Sequence, residues 1–228
     1  MAATTKGPDA EGKPLTLRER KKLRTRQMLI DTALEQFTEH GFDRVTLDAL
    51  CDAVEVSKRT FFRTFDSKEE VALAPAHDLW TAFLRELETA EPGNSAESSA
   101  FALLRDTLLA TIERMAAADG GWAQRVRRSR RLAAGAPSID AHGLAFCDRT
   151  SAAVVELVRQ RFELSGTRGP QEGLLLRLTV DILVAAFRQA MDTWVADPAE
   201  PDAAGLVRAA ADACAAVPES LSLRVSPR

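Results

Sequence analysis

The sequence predicts an all-α protein in which a small N-terminal three-helix domain precedes a larger C-terminal helical bundle. Apolar residues recur at the three- and four-residue spacing of amphipathic helices, and capping residues, glycines and prolines separate the successive helical segments. No segment shows the sustained alternation of polar and apolar residues that marks a half-buried strand. The chain has 228 residues, 46% of them hydrophobic, which suits a small module joined to a larger one.

The N-terminal elements are predicted from their apolar spacing and their caps. A first helix spans 17–40, and Gly41 follows it where a C-cap belongs. Thr46 and Ser57 are N-cap candidates for two short helices, the second of which is expected to run to about Phe65. Two short helices joined by a tight turn, behind a longer first helix, indicate a helix-turn-helix.

The C-terminal elements begin at Ser67, which is expected to form a capping box with Glu70. The helix that starts there is predicted to reach about Ala90 and to bend at Pro75, where a backbone hydrogen bond is lost. Five further helices are predicted between breaks rich in glycine, proline or serine, over 101–118, 122–134, 138–164, 171–196 and 202–217.

This order of elements predicts two domains and two tails. The helix-turn-helix domain is expected over 18–66 and a helical regulatory domain over 67–217. Residues 1–17 and 218–228 are expected to be flexible tails, the first because it combines glycine and proline with few large apolar side chains.

Composition excludes several classes of protein. No run approaches the roughly 18 apolar residues of a membrane helix, and the N-terminus lacks the apolar core of a secretory signal. Cys51, Cys147 and Cys214 lie far apart, which predicts reduced thiols in a cytoplasm. No spacing of His, Cys and Asp resembles a metal site, so we expect neither a metal nor a cofactor.

The net charge of −3 conceals a separation of charge along the chain. Six of the residues from 18 to 26 are basic and only Glu19 is acidic, and all six lysines occur at or before Lys68. Such runs are often solvated helix faces. A second basic cluster holds Lys58, Arg59, Arg63 and Lys68, against Asp66. Two basic runs flanking one compact helical motif favour a role in binding a polyanion.

The second short helix has two different faces. A helical wheel places Phe61, Phe62 and Phe65 in one arc, which is expected to pack on the first two helices. The opposite face carries Arg59, Thr60, Arg63 and Thr64. Arginine can contact guanine, and threonine a thymine methyl or a phosphate, so this face fits a DNA major groove. The alternative is that the arginines only solubilise a surface helix.

The segment 25–71 resembles the DNA-binding domain of the tetracycline-repressor (TetR) family of bacterial transcriptional regulators. The matching features are Gly41-Phe42, Val45-Thr46-Leu47, Val56-Ser57, Thr60, Phe65 and Ser67-Lys68-Glu69. The match covers about a fifth of the chain, and the joint spacing is more specific than any single motif.

The resemblance implies roles for individual residues. Thr46 and Lys68 would contact phosphates at helix N-termini. Arg24 and Arg26 would reach the DNA backbone or the minor groove. The recognition helix would supply the remaining DNA contacts, through Ser57, Lys58, Arg59, Thr60, Phe62 and Arg63. The implied partner is double-stranded operator DNA, and the implied location is the cytoplasm, in association with the nucleoid.

Two residues depart from the family pattern. Glu55 occupies the turn where the family usually has glycine, and a glutamate at positive φ would cost about 1–2 kcal/mol, so a differently shaped turn is expected. Phe62 stands where the family usually has a tyrosine whose hydroxyl contacts a phosphate. The chain contains no tyrosine, so that contact is absent.

The helix over 171–196 has two apolar stripes, and a helix apolar over so wide an arc must be buried on two sides. The first stripe is Leu175, Leu178, Ile182 and Ala186. The second runs from Leu176 to Trp194. One side would meet the chain's own core and the other a second copy, in a C2 homodimer that also uses the alanine-rich last helix. The predicted interface residues are Val180, Leu183, Phe187, Met191, Ala210 and Cys214. The alternative is an ordinary central core helix.

A small-molecule ligand, which the resemblance also implies, would occupy an apolar cavity in the C-terminal domain. Its candidate lining is Phe83, Phe101, Leu104, Leu108, Trp122 and Phe146. The alternative is that this set is plain core. The sequence thus favours a homodimeric DNA-binding repressor released by a small ligand. A helical receptor or scaffold that has lost DNA binding stays open. An all-α enzyme has less support, because no phosphate loop or nucleophile motif is present.

Overall fold

The computed structural model describes residues 16–91, 99–164, 169–197 and 202–225. Within these ranges the regular structure is helical, which confirms the all-α prediction. The helices are α1 (Leu17–His40), α2 (Leu47–Ala53), α3 (Lys58–Phe62), α4 (Lys68–Leu87), α5 (Ala100–Ala118), α6 (Trp122–Gly135), α7 (Pro137–Arg161), α8 (Pro170–Ala196), α9 (Ala203–Ala215) and α10 (Val217–Ser220).

Side-chain caps fix where the first three helices begin. The Thr16 hydroxyl accepts the amide of Glu19 at 3.2 Å, and the Glu19 carboxylate accepts the Thr16 amide at 2.7 Å, which completes a capping box. The predicted caps Thr46 and Ser57 accept amide hydrogens at 3.1 and 3.2 Å from the third residue after each. Residues 1–15 of the predicted N-terminal tail lie outside the described residues, and its last residue, Leu17, is already helical.

Helix α4 runs through Pro75 from Lys68 to Leu87 without a break. The Ser67 hydroxyl accepts the amide of Glu70 at 3.1 Å, as half of the predicted capping box. The Glu70 carboxylate accepts the amide of Asp66 instead of that of Ser67. The carbonyl of Pro75 accepts the indole N–H of Trp122 at 3.2 Å, which ties α4 to α6.

The chain divides into two compact units, residues 1–72 and 73–228. The first unit holds α1, α2, α3 and the start of α4. Its core is formed by Leu29, Ile30, Leu34, Phe37, Leu50, Phe61 and Phe65. In the second unit, α8 lies centrally and packs against α5, α6, α7 and α9. The predicted boundary between residues 66 and 67 stays a prediction.

Other predicted breaks fall partly outside the described residues, at 92–98, 165–168 and 198–201. The last predicted helix differs in detail, because α9 ends at Ala215 and α10 follows over Val217–Ser220. The predicted tail 218–228 therefore starts inside a helix. In the described parts of the chain, no helix is both long and apolar enough to span a membrane.

Candidate nucleic-acid interface

The turn between α2 and α3 keeps a left-handed residue although no glycine is present. Glu55 has φ 55°, the one positive φ among the described residues other than glycine. The amide of Glu55 donates to Asp52 O at 3.1 Å, and the amide of Val56 donates to Cys51 O at 2.9 Å. These two bonds form a Schellman motif, which needs a left-handed residue at this position. The expectation of a differently shaped turn is therefore wrong: the bonds hold Glu55 in the strained conformation.

Two phenylalanines anchor α3. Phe61 is fully buried and Phe65 nearly so, with their ring centroids 5.8 Å apart. Phe62, placed in the same arc by the helical wheel, is 53% exposed. Residues four apart share one helix face, whereas adjacent residues differ by about 100°, so a five-residue helix turns Phe62 away from the core. The expectation that Phe62 packs on the first two helices is corrected accordingly.

The outward side of α3 displays three cations as well as the exposed Phe62 ring. Lys58, Arg59 and Arg63 are exposed. Lys58 Nζ lies 2.7 Å from Asp48 Oδ1, and this hydrogen-bonded ion pair raises the pKa of the lysine. Among the described residues, Arg59 and Arg63 form no ion pair. Two guanidinium groups thus remain available to a polyanion.

The threonine and serine on this surface serve first as caps. Thr60 is half-buried, and its hydroxyl lies 3.1 Å from that of Ser57, the N-cap of α3. Thr46 caps α2 in the same way and is exposed. A capping hydroxyl is held in one position by the helix it caps. Thr46 and Ser57 are therefore fixed at the surface next to the two short helices.

The flanking basic residues differ in how they are engaged. Arg24 is exposed on α1, where every residue from 17 to 24 is exposed. Arg26 is half-buried, and its guanidinium carbon lies 5.2 Å from the centroid of the Phe65 ring. The start of α1 thus presents a basic arm, while Arg26 takes part in packing.

Lys68 holds the unit together from within. Its Nζ donates to Phe42 O at 2.9 Å, approaches Val45 O at 3.5 Å, and lies 4.1 Å from the centroid of the Phe42 ring. It therefore bridges the start of α4 to the loop before α2. Its role as a phosphate contact stays a prediction, and the structure adds a structural role.

The predicted ligand residues do not form one site. Phe83, Leu104, Leu108 and Trp122 are buried in the core of the second unit, and Phe101 packs against that core. Of the six predicted ligand residues, Phe146 borders a cavity. The empty volume of this cavity, with its open mouth included, is about 560 Å³. Its other walls come from α4, α6 and α8 and include His77, Trp80, Arg130 and Arg188. Sequence reasoning missed these, because they lie up to about 110 positions apart and share no spacing.

The predicted interface residues lie inside the second unit. Val180, Leu183, Phe187, Met191, Ala210 and Cys214 are all buried there. A side chain already buried in its own core has no area to offer to a second copy. On α8 the exposed apolar side chains are instead Leu174, Leu175 and Leu178. Leu175 and Leu178 belong to the other predicted stripe of the helix.

Fold and site together define the class: a helix-turn-helix unit with a basic outer face, joined to a larger helical unit. Residues 29–74 match the family model of bacterial regulatory proteins of the tetR family. Over 88 residues the chain is 49% identical to the HTH-type transcriptional regulator TcmR of Streptomyces glaucescens, covering 37% of this chain and 39% of TcmR. Over 96 residues it is 31% identical to the probable acrEF/envCD operon repressor of Escherichia coli, covering 41% and 42%.

These alignments span about two-fifths of the length of the curated relatives. A solved structure from Syntrophomonas wolfei, assigned to the TetR-family transcriptional regulators, extends the likeness in fold. It covers 90% of this chain and 99% of its own, with a TM-score of 0.55 and 16% identity. Residues 29–74 thus form an N-terminal domain like that of the tetR family of bacterial regulatory proteins.

Proposed function

We propose that this protein is a sequence-specific DNA-binding transcriptional regulator, and that it acts as a homodimeric repressor released from its operator by a small molecule. The observation that carries the proposal is the outer face of α3. That face combines a rigid aromatic anchor beneath with the exposed, unpaired guanidinium groups of Arg59 and Arg63 above. Arginine reads guanine in the major groove through paired hydrogen bonds.

Electrostatics favour DNA over other partners for this face. The exposed basic arm of residues 17–24 on α1 adds further cations within the same unit. Neutralising phosphates with these groups would release counterions, so affinity would depend steeply on salt. Repression, rather than activation, is supported by the name of the Escherichia coli relative.

Two features of the second unit support the rest of the proposal. The exposed leucines of α8 offer an apolar surface to a second copy, and a C2 dimer would present two α3 helices to half-sites about 34–36 Å apart. The cavity beside Phe146 offers a place for a ligand. The protein would work as a reader of DNA without catalysing a reaction.

The test measures binding to duplexes that tile the protein's own promoter, as a function of salt. We expect log K to fall linearly with log salt, with a slope that corresponds to several phosphate contacts. Arg59→Ala should lose about 1–3 kcal/mol of preference for the best duplex over a scrambled one. Arg149→Ala, an exposed arginine on α7, is the matched control and should change nothing. A flat salt slope for every duplex would overturn the proposal.

Lys68 needs a variant that separates its two roles. Lys68→Met keeps much of the packing on the Phe42 ring and removes the charge. If Lys68 also contacts a phosphate, Lys68→Met weakens binding to all sequences alike and makes the salt slope about one unit shallower. If Lys68→Met were fully folded and its salt slope for DNA binding were unchanged, the role of Lys68 would be restricted to its hydrogen bonds with the carbonyls of Phe42 and Val45.

A further inference from the structure

The cavity in the second unit has a composition that points to a class of ligand. It lies between α4, α6, α7 and α8 and opens to the surface, and its empty volume, with the open mouth included, is about 560 Å³. Small residues from three helices leave this space open, among them Ala76, Ala133 and Gly143.

One wall of the cavity is built from flat rings. The imidazole of His77 stacks on the ring of Phe146, with centroids 3.7 Å apart and planes 15° apart. His142 continues the stack, 6.0 Å from His77. The indole of Trp80 lies one turn after His77 on α4 and also borders the cavity. Flat, polarisable walls favour a flat aromatic ligand, which gains stacking beyond the burial of apolar area.

The two arginines at the cavity differ in how fully they are engaged. Arg130 makes a bidentate pair with Asp192, at 2.6 Å from Nε and 2.9 Å from Nη2, and this pair raises its pKa. Arg188 lies 3.8 Å from Asp140 Oδ1, which is beyond hydrogen-bond length. Elsewhere in the described chain, Arg188 has no hydrogen-bond acceptor. The guanidinium N–H groups of Arg188 are therefore available to donate hydrogen bonds to a ligand in the cavity.

The other polar groups on the wall do not compete for that role. Burial raises the pKa of the Cys147 thiol, so it is a neutral group at ordinary pH. Ser129 is buried and uncharged. Asp192 already neutralises Arg130, whereas Asp140 holds Arg188 only loosely, so an anionic ligand would replace Asp140 at Arg188.

We propose that this cavity binds a flat aromatic acid, whose rings lie against the wall of His77, Phe146 and Trp80 and whose carboxylate or phenolate takes Arg188 from Asp140. This inference rests on the proposed function only in identifying the ligand as the signal that releases DNA. The binding itself is a property of the second unit. The ionised oxygens would accept paired hydrogen bonds from the guanidinium, an interaction stronger than a loose ion pair.

The test uses the full chain and anthracene-2-carboxylate as the probe, with binding followed by quenching of tryptophan fluorescence and by calorimetry. The neutral analogue 2-(hydroxymethyl)anthracene tests the charge, and dodecanoate tests the flat shape. We expect the aromatic acid to bind at least about tenfold more tightly than either comparison compound. Equal binding of dodecanoate would overturn the aromatic assignment, and equal binding of the alcohol would overturn the acidic one.

Two variants at the ion pair should act in opposite directions. Arg188→Met should weaken the acid at least about tenfold and leave the alcohol unchanged, because only the acid uses the charge. Asp140→Asn should tighten the acid several-fold, because it frees Arg188 from its competitor. Arg149→Met, on an exposed face of α7, is the control for removing an arginine. If Asp140→Asn failed to tighten the acid while the protein stayed folded, the exchange of partners would be wrong.

The two proposals can fail separately. DNA binding with a steep salt slope, together with no binding of the aromatic acid, would overturn this inference and leave the regulator standing. Binding of the acid with the predicted variant effects, by a protein that binds no DNA, would do the reverse.

Discussion

Helices α3 and α8 both carry more apolar residues than their own core can bury, and the apolar side chains that each helix exposes have different surroundings. The five-residue α3 buries Phe61 and leaves Phe62 exposed among arginines. The 27-residue α8 buries its predicted interface stripe and leaves Leu174, at 60%, and Leu178 exposed on its first half. One exposed surface is suited to a polyanion and the other to a second apolar surface.

The difference teaches that periodicity finds the faces of a helix without assigning their partners. On α3 the cations settle the question, because charged groups without partners stay in water or meet opposite charge. On α8 both stripes are apolar, so only packing distinguishes them. Rising salt should therefore weaken the binding of DNA to α3, because salt screens charge. It should not weaken the association of two copies through α8, because that contact is apolar.

The largest expected effect separates the two adjacent phenylalanines of α3. Phe61→Ala should destabilise the first unit by about 3–5 kcal/mol, because it removes a fully buried aromatic ring. Phe62→Ala should cost only about 0.5–1.5 kcal/mol, because the ring is half exposed and packs edge-to-face on Phe61, with centroids 5.6 Å apart. Denaturant unfolding followed by circular dichroism measures both. Equal destabilisation by the two variants would show that Phe62 is also part of the core.

The effect of Phe62→Ala on DNA affinity tests whether the exposed ring belongs to the DNA-binding surface. Phe62→Ala should weaken DNA binding while the first unit stays folded, because the exposed ring is on the same helix as Arg59, on the surface assigned to DNA. If Phe62→Ala left DNA affinity intact, the contact surface would have to exclude the middle of α3.

The next effect concerns the apolar surface of α8. Leu178→Glu should raise the dimer dissociation constant by at least about a hundredfold. Burial of one leucine contributes about 1.5 kcal/mol or more, and a two-fold interface counts it twice. Leu223→Glu is the control, because Leu223 is exposed far along the chain, beyond α10. Sedimentation at several concentrations checks this, and a monomer before any substitution would remove the dimer from the proposal.

The smallest effect concerns the turn that sets α3. Glu55→Gly should stabilise the first unit by about 1 kcal/mol, because glycine adopts φ 55° without a clash of its Cβ. Glu55→Ala retains the Cβ and should bring no such gain. A comparison of the unfolding midpoints of the two variants measures this. Equal midpoints would mean that the left-handed conformation costs little here.

Much of the fold was predictable because its signals are local. The caps Thr46 and Ser57 bond to backbone amides three residues away, so sequence spacing alone locates the starts of α2 and α3. The anchor Phe61 and Phe65 follows in the same way from four-residue spacing. Less of the candidate sites was predictable. Lys68 donates a hydrogen bond to the carbonyl of Phe42, 26 positions earlier, and no local sequence pattern predicts a hydrogen bond over that separation.

The sequence by itself determined the helical class, the order of the helices, the helix-turn-helix and the concentration of positive charge in the first unit. Each depends on neighbours within a few residues or on composition. Only the tertiary structure decided which stripe of α8 is core, that Glu55 accepts a left-handed backbone, and that His77, Phe146 and Arg188 border one cavity. These features depend on contacts within the folded chain, because the space available for packing and the hydrogen-bond partners within reach exist only once the chain has folded.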